Sequence, residues 1–222
     1  MTIAQTAFVI LLWAVLAVAV VSFVAGGLLQ RRRRARLARA AHETGMLFSA
    51  DDPFDMPRRY AQFSLMTGGH GARARNVTYG RLAGLAVRAF DFRCELGHGP
   101  RRLTRVYGVF VMETAADLPA LSMWNQRGEE YSPLPTGQGQ WRLGDWSCRG
   151  NRRVCEIAAA SEVGRTAIGI ETSGAVLLVC SPAGRSIAYV SSLPAAAELA
   201  RALSSGATAG GQQEAAPNRQ GS

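Results

Sequence analysis

Four cysteines and three histidines are the side chains in this 222-residue chain best suited to bind a metal or attack a substrate. Cys94 and His98 stand four apart, and Cys148 and Cys155 stand seven apart. Together they could supply the thiolate and imidazole donors of a tetrahedral zinc site. Structural zinc sites use tighter knuckles than these, and the four residues fall on a predicted strand, a loop and a helix. They define an alternative reading, a zinc-binding or enzymatic domain, while the leading one assigns no metal ligand and no cofactor. Asp51, Asp52 and Asp55 could approach a divalent cation, but acids around Pro53 read as turn and cap residues. The loop Thr67-Gly68-Gly69-His70-Gly71 lacks the lysine and hydroxyl residue with which a phosphate-binding loop holds nucleotide and magnesium. No G-x-S-x-G element is present, and no histidine is placed beside a serine or cysteine nucleophile. No catalytic residue is assigned, and the balance is against an enzyme.

Charge has to be located before it can be interpreted. The formal net charge is +9, and all 25 basic residues are arginine, as in proteins of GC-rich bacteria. Arg31, Arg32, Arg33, Arg34, Arg36 and Arg39 form one block without an acid. Eight more arginines lie between His70 and Arg105 against Asp91 and Glu95, so the rest of the chain is acidic on balance. A basic surface over the whole domain is therefore absent, and no nucleic-acid partner is expected.

Ala7 to Leu29 is an uncharged run of 23 residues. At about 1.5 Å per residue it spans roughly 35 Å, enough to cross a hydrocarbon layer of about 30 Å. A cleavable signal peptide would carry a basic start and a shorter apolar stretch. The six arginines directly after Gln30 act as a topology signal. They predict a single-pass protein of the inner membrane, with the N-terminus outside and the following domain in the cytoplasm. In a reducing compartment the four cysteines stay free, whereas an exported domain would pair them as disulfides, a third reading.

The elements that must position these residues follow a consistent order. Residues 1–30 hold the transmembrane helix, 31–45 a basic juxtamembrane helix ended by Gly45, 46–203 a domain, and 204–222 a polar tail without periodicity. Strands are predicted over Asn76–Gly80, Gly84–Glu95, Arg102–Glu113, Leu118–Trp124 and Trp141–Cys148, with a hairpin about the turn formers 96–100. Asn151 caps a helix to Val163, the runs Ala167–Thr172 and Ala175–Cys180 flank a Ser173-Gly174 turn, and Ser192 caps a last helix. Strands followed by a helix, a hairpin and a helix predict one α+β domain with antiparallel hairpins.

Ala41 to Phe48, the Asp51-Asp52-Pro53 turn, Asn76 to Gly80 followed by Ala89 to Phe92, and Ile170 to Val179 resemble a group of uncharacterised actinobacterial proteins anchored by one membrane helix. Cys94 stands where that group more often has tyrosine. The resemblance implies architecture and carries no activity over. The chain therefore reads as a membrane-tethered, non-enzymatic module whose partners are the lipid bilayer and an unknown protein. Arg73, Arg75, Arg101, Arg102 and Arg105 are candidates to face anionic lipid, or to guard a solvated strand edge.

Overall fold

Phe90, Phe92 and Cys94 alternate with Val87, Ala89 and Asp91, and all six are buried. That period of two with both sets inside belongs to a strand covered on both faces. The computed structural model describes residues 3–97, 99, 102–125, 139–182 and 186–211. Its centre is an antiparallel sheet of nine strands: β1 Leu47–Ser49, β2 His70–Leu82, β3 Leu85–Leu96, β4 Leu103–Glu113, β5 Leu121–Asn125, β6 Trp141–Leu143, β7 Trp146–Gly150, β8 Gly169–Ser173 and β9 Val176–Pro182. The spatial order is β1-β2-β3-β4-β9-β8-β5-β7-β6, so the β8–β9 hairpin sits between the first four strands and the last three. The α+β architecture expected from the sequence is the one observed.

Helices cover both faces. On one side lie the C-terminal part of α1 (Ile3–Glu43), α4 (Arg152–Ala160), α5 (Glu162–Thr166) and α6 (Ser186–Gly211). They close a core that includes Ala41, Phe110, Met123, Val154, Leu199 and Leu203. On the other side α2 (Met56–Arg59) and α3 (Ser64–Thr67) press Met56, Tyr60, Phe63 and Leu65 onto Phe90, Phe92, Val109 and Trp124.

α1 is a single helix of 41 residues, about 60 Å long. Its N-terminal part is long and apolar enough to span a membrane. Every large apolar side chain described from Phe8 to Leu29 is at least 50% exposed, so the domain gives that stretch no cover. Further along, Leu37 and Ala41 are buried in the domain. The predicted juxtamembrane helix is thus the continuation of the apolar one, and it ends just before Gly45, whose φ of 70° suits a residue without a Cβ.

Several local expectations change in three dimensions. β2 and β3 form a tight hairpin through Ala83 and Gly84, both at positive φ, and β2 begins at His70, inside the predicted glycine loop. The single strand expected over Trp141–Cys148 is a hairpin, β6 and β7. Asn151 caps α4 as expected, its Oδ1 accepting from the backbone of Arg153 and Val154. The helix stops at Ala160 because the Ser161 side chain caps a separate turn by accepting from Gly164 N. α6 starts before Ser192, runs through Pro194 and continues past Ser204 to Gly211, beyond where the tail was expected to begin. A proline near a hydroxyl residue reads as a helix start, but the buried row Leu193, Ala196, Leu199, Ala200 and Leu203 holds the helix across it. Residues 212–222 of the predicted tail lie outside the described residues.

Trp124 lies opposite Gly169 in the β5–β8 ladder, and a Cβ at Gly169 would come within 2.8 Å of the indole ring. Gly169→Ala is expected to destabilise the detergent-solubilised full chain by about 1–3 kcal/mol in urea unfolding, the usual range for overpacking. A loss below about 0.5 kcal/mol would mean that the indole has room to move aside.

Candidate functional site

Strand alternation places Asp91, Arg93 and Glu95 of β3 on the same face as Val87 and Ala89, the face on which α1 packs. Arg73 and Arg75 join them from β2, since Arg73 pairs with Arg93 and Arg75 with Asp91. Val106 joins from β4 as the partner of Arg93. Toward this end of the face the core gives way to a cleft of about 450 Å³, lined by these residues together with Gln30 and Arg33 of α1 and by Arg102. Five arginines face two acids. Gln30 is the residue that directly follows the apolar stretch of α1, so the cleft opens where that stretch ends.

The floor of the cleft is held by Asp91. Its Oδ1 accepts from Arg33 Nη2 at 2.7 Å, and its Oδ2 accepts from Asn76 Nδ2 at 2.7 Å. Asn76 has φ of 53° at a register shift between Arg75 and Thr78, a bulge in which asparagine tolerates the left-handed region. Its backbone N–H donates to Ala50 O, which joins the segment after β1 to the same point. Burial pushes the Asp91 carboxyl above the usual range, while the Asn76 amide and the Arg33 guanidinium favour its charged form. The result is a charge-assisted clamp between α1 and the sheet. Arg102 pairs with Glu95 at the opposite side of the cleft.

Two further carboxylates fasten the other face. Glu171, 4% exposed, accepts from Ser64 N at 3.0 Å, Ser64 Oγ at 2.6 Å and Trp124 Nε1 at 3.2 Å, fixing the start of α3. Burial raises its pKa. Glu113 accepts from Tyr60 Oη at 3.0 Å and from Arg88 Nη1 at 2.5 Å, with Arg59 at 3.3 Å. Burial works to raise the Glu113 carboxyl, but the Tyr60 and Arg88 contacts outweigh it and hold the group below the usual carboxylate range.

The residues singled out from sequence are distributed as follows. Arg33 and Arg34 are half-buried, and Arg31, Arg32, Arg36 and Arg39 are exposed along α1. Arg73, Arg75 and Arg102 meet at the cleft, whereas Arg105, opposite Cys94 in the ladder, belongs to the other face. Arg101 and His98 lie outside the described residues. Arg33 and Arg93, not among the lipid-facing candidates, complete the cleft. The β3 alternation would have found Arg93, since it shares parity with the buried Val87 and Ala89.

Cys94 packs in one core and Cys148 with Cys155 in the other, so the sheet separates the proposed zinc ligands. Among the described residues no three His, Cys, Asp or Glu side chains converge to hold a metal ion. Burial, reinforced by Cys148 beside it, pushes the Cys155 thiol up to about 12, and burial also raises Cys148. Neither is a thiolate at neutral pH, the form that binds metal or attacks substrate. None of the four cysteines is in a disulfide. Cys94 and Cys180 are on strands either side of β4, about 10 Å apart or more, beyond the roughly 7 Å limit for a disulfide. Asp52 is a cap, accepting from Phe54 N at 3.0 Å and Met56 N at 2.7 Å, and Asp55 precedes α2 in the left-handed region.

An antiparallel-sheet α+β domain carried on a long apolar helix is the class these features define. No family model matches the chain, and no curated protein matches it. Among solved structures it is similar to the crystal structure of the mycobacterial trehalose monomycolate transport factor A, TtfA. The TM-score is 0.55 at 18% identity, over 76% of this chain and 90% of that one. At that identity the likeness is one of fold.

Asp91→Ala removes the acceptor shared by Arg33 and Asn76 and is expected to cost about 1–3 kcal/mol of full-chain stability. The exchange Asn76→Asp with Asp91→Asn keeps one acid and one amide at the junction and should recover at least half of that loss; no recovery would mean that the hydrogen bonds are not what matters there. Glu113 makes the opposite kind of test, through pH. Its folded pKa lies below the unfolded value, so its contribution is present above the ordinary carboxylate range and disappears as pH falls through the folded pKa. Glu113→Gln should be less stable than the parent by about 1 kcal/mol at pH 7, a modest figure because the group is partly exposed. The gap should close in acid, and melting curves of both proteins from pH 7 to pH 3 check it, a constant gap being the adverse result.

Proposed function

We propose that the chain is a single-pass, non-catalytic membrane module that keeps its α+β domain against the cytoplasmic leaflet and presents it to a protein partner. The observation that carries this reading is the division of labour along α1. Its apolar stretch has no cover from the domain, while Leu37 and Ala41 of the same helix are core residues. A core helix of a soluble protein would bury its apolar stretch, and a cleaved leader would take no part in the core. Gln30 and Arg33 of the Arg33–Asp91 clamp are only three positions apart. That is one helical turn, about 5 Å, so the domain has almost no slack relative to the bilayer. The arginine block after the span supports a cytoplasmic domain. The four buried cysteines, none of them in a disulfide, fit the same compartment. Similarity in fold to TtfA, a transport factor, is compatible with an accessory role at a membrane.

Fusions at the C-terminus test the topology. With the domain in the cytoplasm, a green fluorescent protein fusion is fluorescent and an alkaline phosphatase fusion is inactive in intact bacteria. The reverse pair of results would reject the cytoplasmic assignment.

A further inference from the structure

We propose that the cleft between α1 and the strand ends is a binding site for the phosphate of an anionic phospholipid headgroup, held by Arg73, Arg93 and Arg102. The inference rests on the membrane reading above and names the ligand of the surface that this reading turns toward the leaflet. Three observations carry it.

The first is a local charge conflict. Arg73 and Arg93 are direct cross-strand partners. Like charges opposite each other in a ladder are destabilising. The two acids at the cleft are already engaged, Asp91 by Arg33 and Asn76 and Glu95 by Arg102. Among the described residues no acid pairs with Arg73 or Arg93. An anion seated between the two guanidinium groups turns the repulsion into two attractions.

The second is strand position. Charged residues guard the exposed edges of sheets, and that could account for Arg73 and Arg75, because β1 pairs with β2 only at Val77 to Tyr79. It cannot account for Arg93. β3 has β2 on one side and β4 on the other along this stretch, so Arg93 protects no edge.

The third is depth. Gln30 lines the cleft and directly follows the apolar stretch, so a bilayer matched to α1 places its phosphate layer at the mouth of the cleft. At about 450 Å³ the cleft is within the range of small-ligand sites, and Val106, 38% exposed, offers an apolar wall beside the charged groups. Guanidinium groups match phosphate oxygens in bidentate geometry, which favours a phosphodiester over a diffuse cloud of counter-ions.

The test uses the full chain in detergent micelles with equal amounts of phosphatidylglycerol and phosphatidylcholine of the same acyl chains, read by native mass spectrometry. Retention of phosphatidylglycerol is expected to exceed that of phosphatidylcholine by about tenfold, the effect of one charge-assisted contact. Arg73→Gln with Arg93→Gln should bring the ratio close to one, and Arg153→Gln on α4 should leave it unchanged. The single variant Arg93→Gln serves if the double variant does not fold. In micelles without anionic lipid, Arg93→Gln should melt no lower than the parent, because it relieves the repulsion; added phosphatidylglycerol should then raise the melting temperature of the parent only. Equal retention of the two lipids, or a ratio that ignores Arg93, would overturn the site. Displacement of phosphatidylglycerol by millimolar inorganic phosphate or glycerol 3-phosphate would overturn the lipid as its source. A cytoplasmic reporter without lipid preference rejects only the site, whereas lipid preference with an external reporter rejects only the compartment.

Discussion

One helix has to satisfy two solvents. Over its first part α1 exposes Phe8, Trp13, Phe23 and other apolar side chains, which water does not tolerate as a continuous surface. Over its last part the same helix contributes Leu37 and Ala41 to a tightly packed core. There is no linker in which orientation could be lost, because the turn from Gln30 to Arg33 is helical and its last residue is tied to Asp91. The position of the domain relative to the apolar stretch is therefore a property of the fold. Everything proposed about a membrane-facing cleft depends on that continuity.

A second pattern runs through the molecule. Each of three carboxylates on the sheet receives donors from a segment that would otherwise be loosely attached: Asp91 from α1, Glu171 from the start of α3, and Glu113 from Arg59 and Tyr60 at the end of α2. α2 and α3 have four residues each, too few to be stable as helices alone. Apolar contacts bring such segments to the sheet, but contacts of that kind are not directional. Buried acceptors with several donors select one arrangement, since each donor left unpaired would cost about 1–3 kcal/mol. The polar interactions here determine placement more than they determine total stability.

Parts of this architecture were legible in the sequence because they depend on near neighbours. The cap at Asn151 and the length of the apolar run are local and appear where the residues place them, while the β8–β9 turn falls at Gly174-Ala175, one residue after the expected Ser173-Gly174. Misreadings arose where tertiary packing outweighed a local signal. Pro194 marks a helix start by propensity, yet the buried row from Leu193 to Leu203 keeps α6 continuous through it. Trp141 to Cys148 has the composition of one strand, but Gly144 at positive φ turns it back on itself.

The arginine group separates what each level decides. Sequence alone determined that an uncharged run of 23 residues is followed by six arginines and that a second arginine-rich stretch exists, because composition and distance along the chain need no fold. Which of those arginines share a surface was decided only by the tertiary structure. The bulge at Asn76 sets the register that pairs Arg73 with Arg93, and the β3–β4 ladder assigns Arg105 to the other face. A shift of one residue in either ladder would exchange the two sets, since side chains alternate with a period of two. Register is a long-range choice made by the cores on either side of the sheet, and no local rule contains it.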